Sequence, residues 1–221
     1  MSIRSFAASF LMLLVGTAPC SRGLCADEPA QAVPADLVQV AKEIKERVAK
    51  DQDARKAFTE WTKKNGQPND PKITPAQKTE LLLKVAEMSK TDQENTAWLK
   101  KVVERHGWLT ASKVGAEAAS SAWLMVQHAD KDPKFQRKCL DLMAPLPPGE
   151  VKPSDLALLT DRVLLAEGKK QLYGSQFEAK GGKWMPKPIE DEAHVDERRK
   201  KVGLPPLAEY AKVFDDIYGK P

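Results

Sequence analysis

The chain has 221 residues, of which 35 are lysine or arginine and 31 aspartate or glutamate, a formal balance of +4. Charges so nearly matched leave no electrostatic footprint for nucleic acid, and this length suits one domain with a proper core. Three cysteines, Cys20, Cys25 and Cys139, are too few for a disulfide framework.

The opening stretch sets Arg4 ahead of an apolar run from Phe6 to Ala18 and places a small residue at Ala26, the three-part layout of a secretory signal peptide. The run falls short of the roughly 20 residues that a bilayer span requires, so residues 1–26 are expected to be removed rather than kept as an anchor. Cys20 and Cys25 raise a lipoprotein alternative, against which Pro19 and Leu24 stand, being poor substitutes for the small residue such a site wants. After processing, Arg4 and Arg22 are gone and the balance is 33 minus 31, or +2. Cys139 then remains alone and cannot form an internal disulfide. The expectation is an exported, periplasmic or secreted chain, with no membrane insertion after processing and no nucleic-acid partner.

Residues 27–35 read as a flexible tether and residues 36–221 as a single, mainly helical domain with a small late β-hairpin. A helix is predicted from Asp36, whose carboxylate suits a first turn. Its apolar stripe runs through Leu37, Ala41, Ile44 and Val48, then continues through Asp51 and Arg55 to Phe58. That puts an ion pair on the core-facing side, where charge is costly unless satisfied. After the turn-rich "NGQPNDPKITP", capping-box spacing predicts two helix starts, Thr74 with Gln77 and Thr91 with Glu94. Gly107 ends that region, with His106 in the last turn, where a cation is favoured.

"KVGAEAASSAWLMVQH" is apolar nearly all round and belongs in the middle of a domain. His128 continues its Val114 to Met125 stripe, so Gln127, His128 and Asp130 are expected to face inward. Asp132 and Pro133 open the next helix, whose buried stripe of Phe135, Cys139 and Leu142 makes Cys139 an inert core thiol. A helix through "LALLTDRVLLAEG" closes at Gly168. "KKQLYGSQFEAKGGKWMPKP" reads as a hairpin turning at Gly181 and Gly182, and a helix through "PPLAEYAKVFDDIYG" ends the chain.

The ordered series "DQDAR" at 51–55, "HGW" at 106–108, "QHAD" at 127–130, "TDRV" at 160–163, "QLYGSQ" at 171–176 and "RRKKVGLPPLAEY" at 198–210 resembles a bacterial family, the domain of unknown function six-six-two-four. Leu109, where a proline is expected, and Ser175, where threonine is expected, depart from its pattern. The resemblance implies one domain over the mature chain and brings no reaction with it.

The chemistry therefore rests on polar residues placed where apolar elements end. No pair of histidines has helical ligand spacing and there is no "HExxH", so neither a metal nor another cofactor is expected. Ser175 lacks the glycine pattern of a nucleophile elbow. His128, Asp161 and Tyr173 are the catalytic candidates, since acid–base work needs such groups held together. Arg55, Gln127, His128, Asp130, Arg162, Gln171, Tyr173, Gln176 and Arg198 are the ligand-binding candidates. Their guanidinium forks suit an anionic group, and their amides and aromatic rings, with Trp184, suit a sugar or peptide. The first expectation is a binding or interaction module for a small polar ligand or an envelope component. The alternatives are an envelope hydrolase using acid–base chemistry and a purely structural polar network.

Overall fold

The computed structural model describes residues 34–66, 68 and 70–218. The expected signal peptide and most of the tether lie outside them. The described chain is mainly helical, with α1 (Ala35–Asn65), α2 (Pro75–His106), α3 (Ala111–Val114), α4 (Ala116–Gln127), α5 (Pro133–Met143) and α6 (Pro153–Ala166). A two-stranded hairpin follows, β1 (Phe177–Lys180) and β2 (Lys183–Pro186), then a 3-10 turn at Glu192–His194, α7 (Val195–Lys201) and α8 (Leu207–Tyr218). No described helix is long and apolar enough to cross a membrane.

α1 and α2 are antiparallel neighbours: Asn65 meets Gln77 at one end and Asp36 approaches His106 at the other. α4 packs against α1, α2, α5 and α6. From Ala122 to Ala129 every residue is buried, as its all-round apolar sequence requires. Ile44, Leu99, Ala122, Val126, Cys139, Leu159 and Val163 form the centre of this core, where each large aliphatic contributes roughly 1.5–3 kcal/mol through burial. Burial pushes the Cys139 thiol up to about 12, which keeps it protonated and inert. A smaller cluster of Phe58, Trp61, Ile73, Leu81 and Met88 fastens the far ends of α1 and α2. Phe177, Tyr210 and Phe214 pack the hairpin on α8, with Phe177 and Phe214 stacked at 4.2 Å.

Two local expectations need correction. Thr91 starts no helix, because α2 runs unbroken for 32 residues from a capping box at Thr74. No glycine or proline interrupts it after Pro75, and extending an existing helix is cheaper than nucleating a new one. The long apolar segment, by contrast, is divided: Gly115, at φ +84°, closes α3 and leads into α4. The hairpin turns as expected on Gly181 and Gly182, both at positive φ, with Lys180 opposite Lys183. Its strands are only four residues long, so Gln171, Tyr173 and Gln176 precede them in a loop.

Candidate functional site

Asp51 and Arg55, one turn apart on α1, project into the interior, where each side chain is only 2% exposed. Arg55 Nε donates to Asp51 Oδ1 at 3.2 Å and Nη2 donates to Asp92 Oδ1, on α2, at 2.5 Å. His128, at the C-cap of α4, brings Nδ1 to 2.9 Å from the same Asp51 oxygen. A contact of that length needs a proton between the atoms, so Nδ1–H donates to Asp51 and Nε2 is the acceptor of the neutral ring. Arg55 Nε, 3.1 Å from Nδ1, is then a neighbouring donor rather than its partner. Three helices thus meet at one polar joint, and the charged stripe of α1 is satisfied rather than stranded.

The joint separates its ionisable groups. Burial pushes Asp51 upward, but the charge that His128 carries in the acid range where Asp51 titrates, the hydrogen bond from the same ring, the charge of Arg55 and the amide of Gln52 outweigh it and hold the carboxyl at about 2. Asp92 goes the other way, to about 7, because burial and the negative charge of Asp51 exceed the pull of Arg55. Burial and the Arg55 charge together lower His128, against the pull of Asp51, so the ring is neutral near pH 7.

Asp92 and His128 also line a cleft of about 320 Å³, within the range of small-molecule sites. One wall is a face of α2 carrying Ser89, Gln93, Thr96 and Lys100, and the other is the turn from His128 to Asp132. Asp92 is 13% exposed at its side chain and His128 4% overall. Thr91 masked this wall in the sequence: with the helix broken there, the polar stripe Ser89, Asp92, Thr96 and Lys100 at helical spacing is not legible as one face.

The remaining "QHAD" contacts frame this turn. Gln136 Nε2 donates to the carbonyls of Val126 and Gln127, at 3.0 and 3.3 Å, closing the end of α4. Arg162 on α6 donates to Gln127 Oε1 at 3.1 Å and to Asp130 Oδ1 at 2.5 Å. Arg55, Gln127, His128, Asp130 and Arg162 are therefore brought together.

Asp161, Gln171, Tyr173, Gln176 and Arg198 are gathered elsewhere. Asp161, next to Arg162 but on another face of α6, accepts from the backbone amides of Leu172 and Tyr173 through Oδ1 and of Ser175 through Oδ2, at 2.7, 2.9 and 2.9 Å. Gln171 donates to the carbonyls of Gln176 and Lys187 and accepts from the Gln176 amide. Arg198 donates to the carbonyls of Leu172, Glu190 and Asp191. Arg199, missed in the sequence, donates to those of Tyr173 and Pro205 and lies over the Tyr210 ring at 4.6 Å. These side chains bind main chain and fix the 171–176 loop; of the sequence candidates, the cleft is lined by His128 and Asp130.

Asp51, Asp92 and His128 each offer one metal-ligand atom, all within 4.8 Å of one another. The Arg55 guanidinium already lies against all three, so a metal ion there would have to displace a buried cation from its partners. The donor set is better matched to proton exchange than to coordination.

No curated protein and no solved structure matches the chain. Residues 40–221, which hold the joint, the cleft and the loop clamp, match the family of unknown function DUF6624, and the chain belongs to that family.

Proposed function

We propose that this is an exported acid–base enzyme, most simply a hydrolase, acting on a small polar substrate in the cleft between α2 and the 128–132 turn. One observation carries the reading: His128 and Asp92 line the wall of one cleft, with Asp51 holding the imidazole from behind through Nδ1. Carboxyls with widely separated proton affinities are what acid–base sites use to divide roles. Here Asp51 orients, neutral His128 accepts a proton and protonated Asp92 donates one. In the hydrolytic step a water oxygen bonds to the electrophilic centre and its proton passes to His128. The bond to the leaving oxygen breaks as that oxygen takes the proton of Asp92. Return of the imidazolium proton to Asp92 restores the starting state, so no net proton is consumed in the cycle. Export is supported by the layout of Arg4, the Phe6 to Ala18 run and Ala26.

The test is a screen of the purified protein against chromogenic 4-nitrophenyl esters, phosphates and glycosides, with Asp92→Asn and His128→Gln run alongside. Turnover in the wild type that falls about 100-fold or more in each variant, the scale of a lost acid or base, with circular dichroism unchanged, supports the reading. Turnover retained by both variants overturns it. Ligand binding without turnover across the screen returns the cleft to a binding role.

A further inference from the structure

Two lysines that the joint does not use, Lys100 and Lys131, line the cleft. Lys131, exposed on the 128–132 turn, donates from Nζ to the Ser89 hydroxyl on α2, spanning the two walls. Its counterpart Lys100 is paired with Asp132 at 2.6 Å. Arg162 is paired with Asp130 and Arg55 with Asp51. Lys131 has no carboxylate partner among the described residues. An ammonium has three N–H donors, and one of them serves Ser89.

Resting on the acid–base reading above, we infer that Lys131, steadied by Ser89, docks a singly charged oxyanion group of the substrate, a carboxylate or a phosphate monoanion. The charge count of the working state supports this. Among the described residues, and with Asp92 carrying its proton, three of the four cations around the turn, Arg55, Lys100 and Arg162, pair with Asp51, Asp132 and Asp130, and Lys131 is the fourth. One positive charge is left over, at the rim, and a cleft with one sign of charge in excess concentrates the opposite ion. A ligand anion at Lys131 would complete the balance without disturbing the three existing pairs. It would also raise the proton affinity of Asp92, since negative charge nearby favours the neutral carboxyl. Docking and retention of the catalytic proton would then reinforce each other.

Calorimetric titration at pH 6 tests this with three probes: succinate, inorganic phosphate and uncharged succinamide. The expected result is that at least one anion binds the wild type, that Lys131→Met binds it at least 5-fold more weakly, and that succinamide does not bind. Lys134→Met, altering an exposed lysine outside the cleft, should leave the affinity unchanged. Which anion binds distinguishes a carboxylate from a phosphate substrate. The inference is overturned if neither anion binds, if Lys131→Met binds as well as wild type, or if both lysine variants weaken binding equally, which would reflect surface charge alone. Its failure can be told apart from failure of the acid–base reading, because Asp92→Asn is read by turnover and Lys131→Met by anion affinity.

Discussion

Replacing Arg55 with methionine keeps an unbranched side chain on α1 out to about the Nε position and removes the guanidinium cation shared by Asp51, Asp92 and His128. An exposed i,i+4 pair would lose only about 0.3–0.5 kcal/mol. Arg55 and Asp51 are both 2% exposed, which places the pair with buried ones, where removing a single partner costs about 3–5 kcal/mol. The lower end applies, because Asp51 keeps hydrogen bonds from His128 and from Gln52 and Asp92 can take a proton. A loss of about 3 kcal/mol is a large part of the roughly 5–15 kcal/mol that holds a typical domain together. Urea unfolding followed by far-ultraviolet circular dichroism should show it as a lower midpoint with an unchanged slope. Adding Asp51→Asn to Arg55→Met should recover part of the loss, since a neutral amide oxygen can still accept from His128 Nδ1–H. A loss below about 1 kcal/mol, or a double variant whose losses simply add, would refute the claim that Arg55 acts by neutralising buried carboxylates.

The folded pKa of Asp92, about 7, lies above its ordinary value of 3.8, so the folded state binds this proton more tightly. Its share of stability is therefore full below about pH 4, falls as pH rises from there to 7 and stays lost above; urea midpoints should show the wild type weakening across that window relative to Asp92→Asn. If turnover is found, its pH–rate profile should be bell-shaped, with an alkaline limb near 7 from Asp92 and an acid limb below 6.5 from the lowered His128; an alkaline limb that persists in Asp92→Asn would exclude that assignment. Asp161→Asn replaces a carboxylate that accepts from three backbone amides with a group having one acceptor oxygen and two donors. A loss of about 2–4 kcal/mol is expected from the stranded amides, with faster hydrogen exchange at Leu172, Tyr173 and Ser175 but unchanged anion affinity at the cleft. Gly174→Ala should lose about 1–3 kcal/mol by thermal unfolding, because its φ is +67° and a Cβ there would lie 2.8 Å from Ile189 Cδ1 and 2.9 Å from Leu207 Cδ1.

Periodicity exposed most of the architecture, because the signals that set it are local. Thr74 with Gln77, Asp132 with Pro133, and Gly181 with Gly182 each act within a turn of the chain, and each works as its residue types demand. The apolar stripe of α1 also revealed that Asp51 and Arg55 point inward. Their partners were not legible, since Asp92 and His128 lie 37 and 73 positions from Arg55, and nothing local ties them to it. Thr91 compounded this: cap chemistry is a preference expressed only where a helix has to begin, and here α2 has already begun at Pro75. Asp161 and Arg162 show a different limit. Adjacent residues on a helix project about 100° apart, so one points to the loop and the other to the cleft turn, and a motif read as a unit serves two places.

The unbroken run of α2 also determines which side of the cleft can give. At 1.5 Å per residue, its 32 residues make a rod about 48 Å long, pinned by the capping box at Thr74 and by Gly107. Bending it at Ser89 or Thr96 would break consecutive backbone hydrogen bonds. The opposite wall is a short turn between the end of α4 and Pro133, crossed to α2 by Lys131 and Lys100. Of the two walls the turn is therefore the one with fewer backbone hydrogen bonds to lose, although His128 and Ala129 within it are buried and any shift of it would disturb the bond from His128 to Asp51.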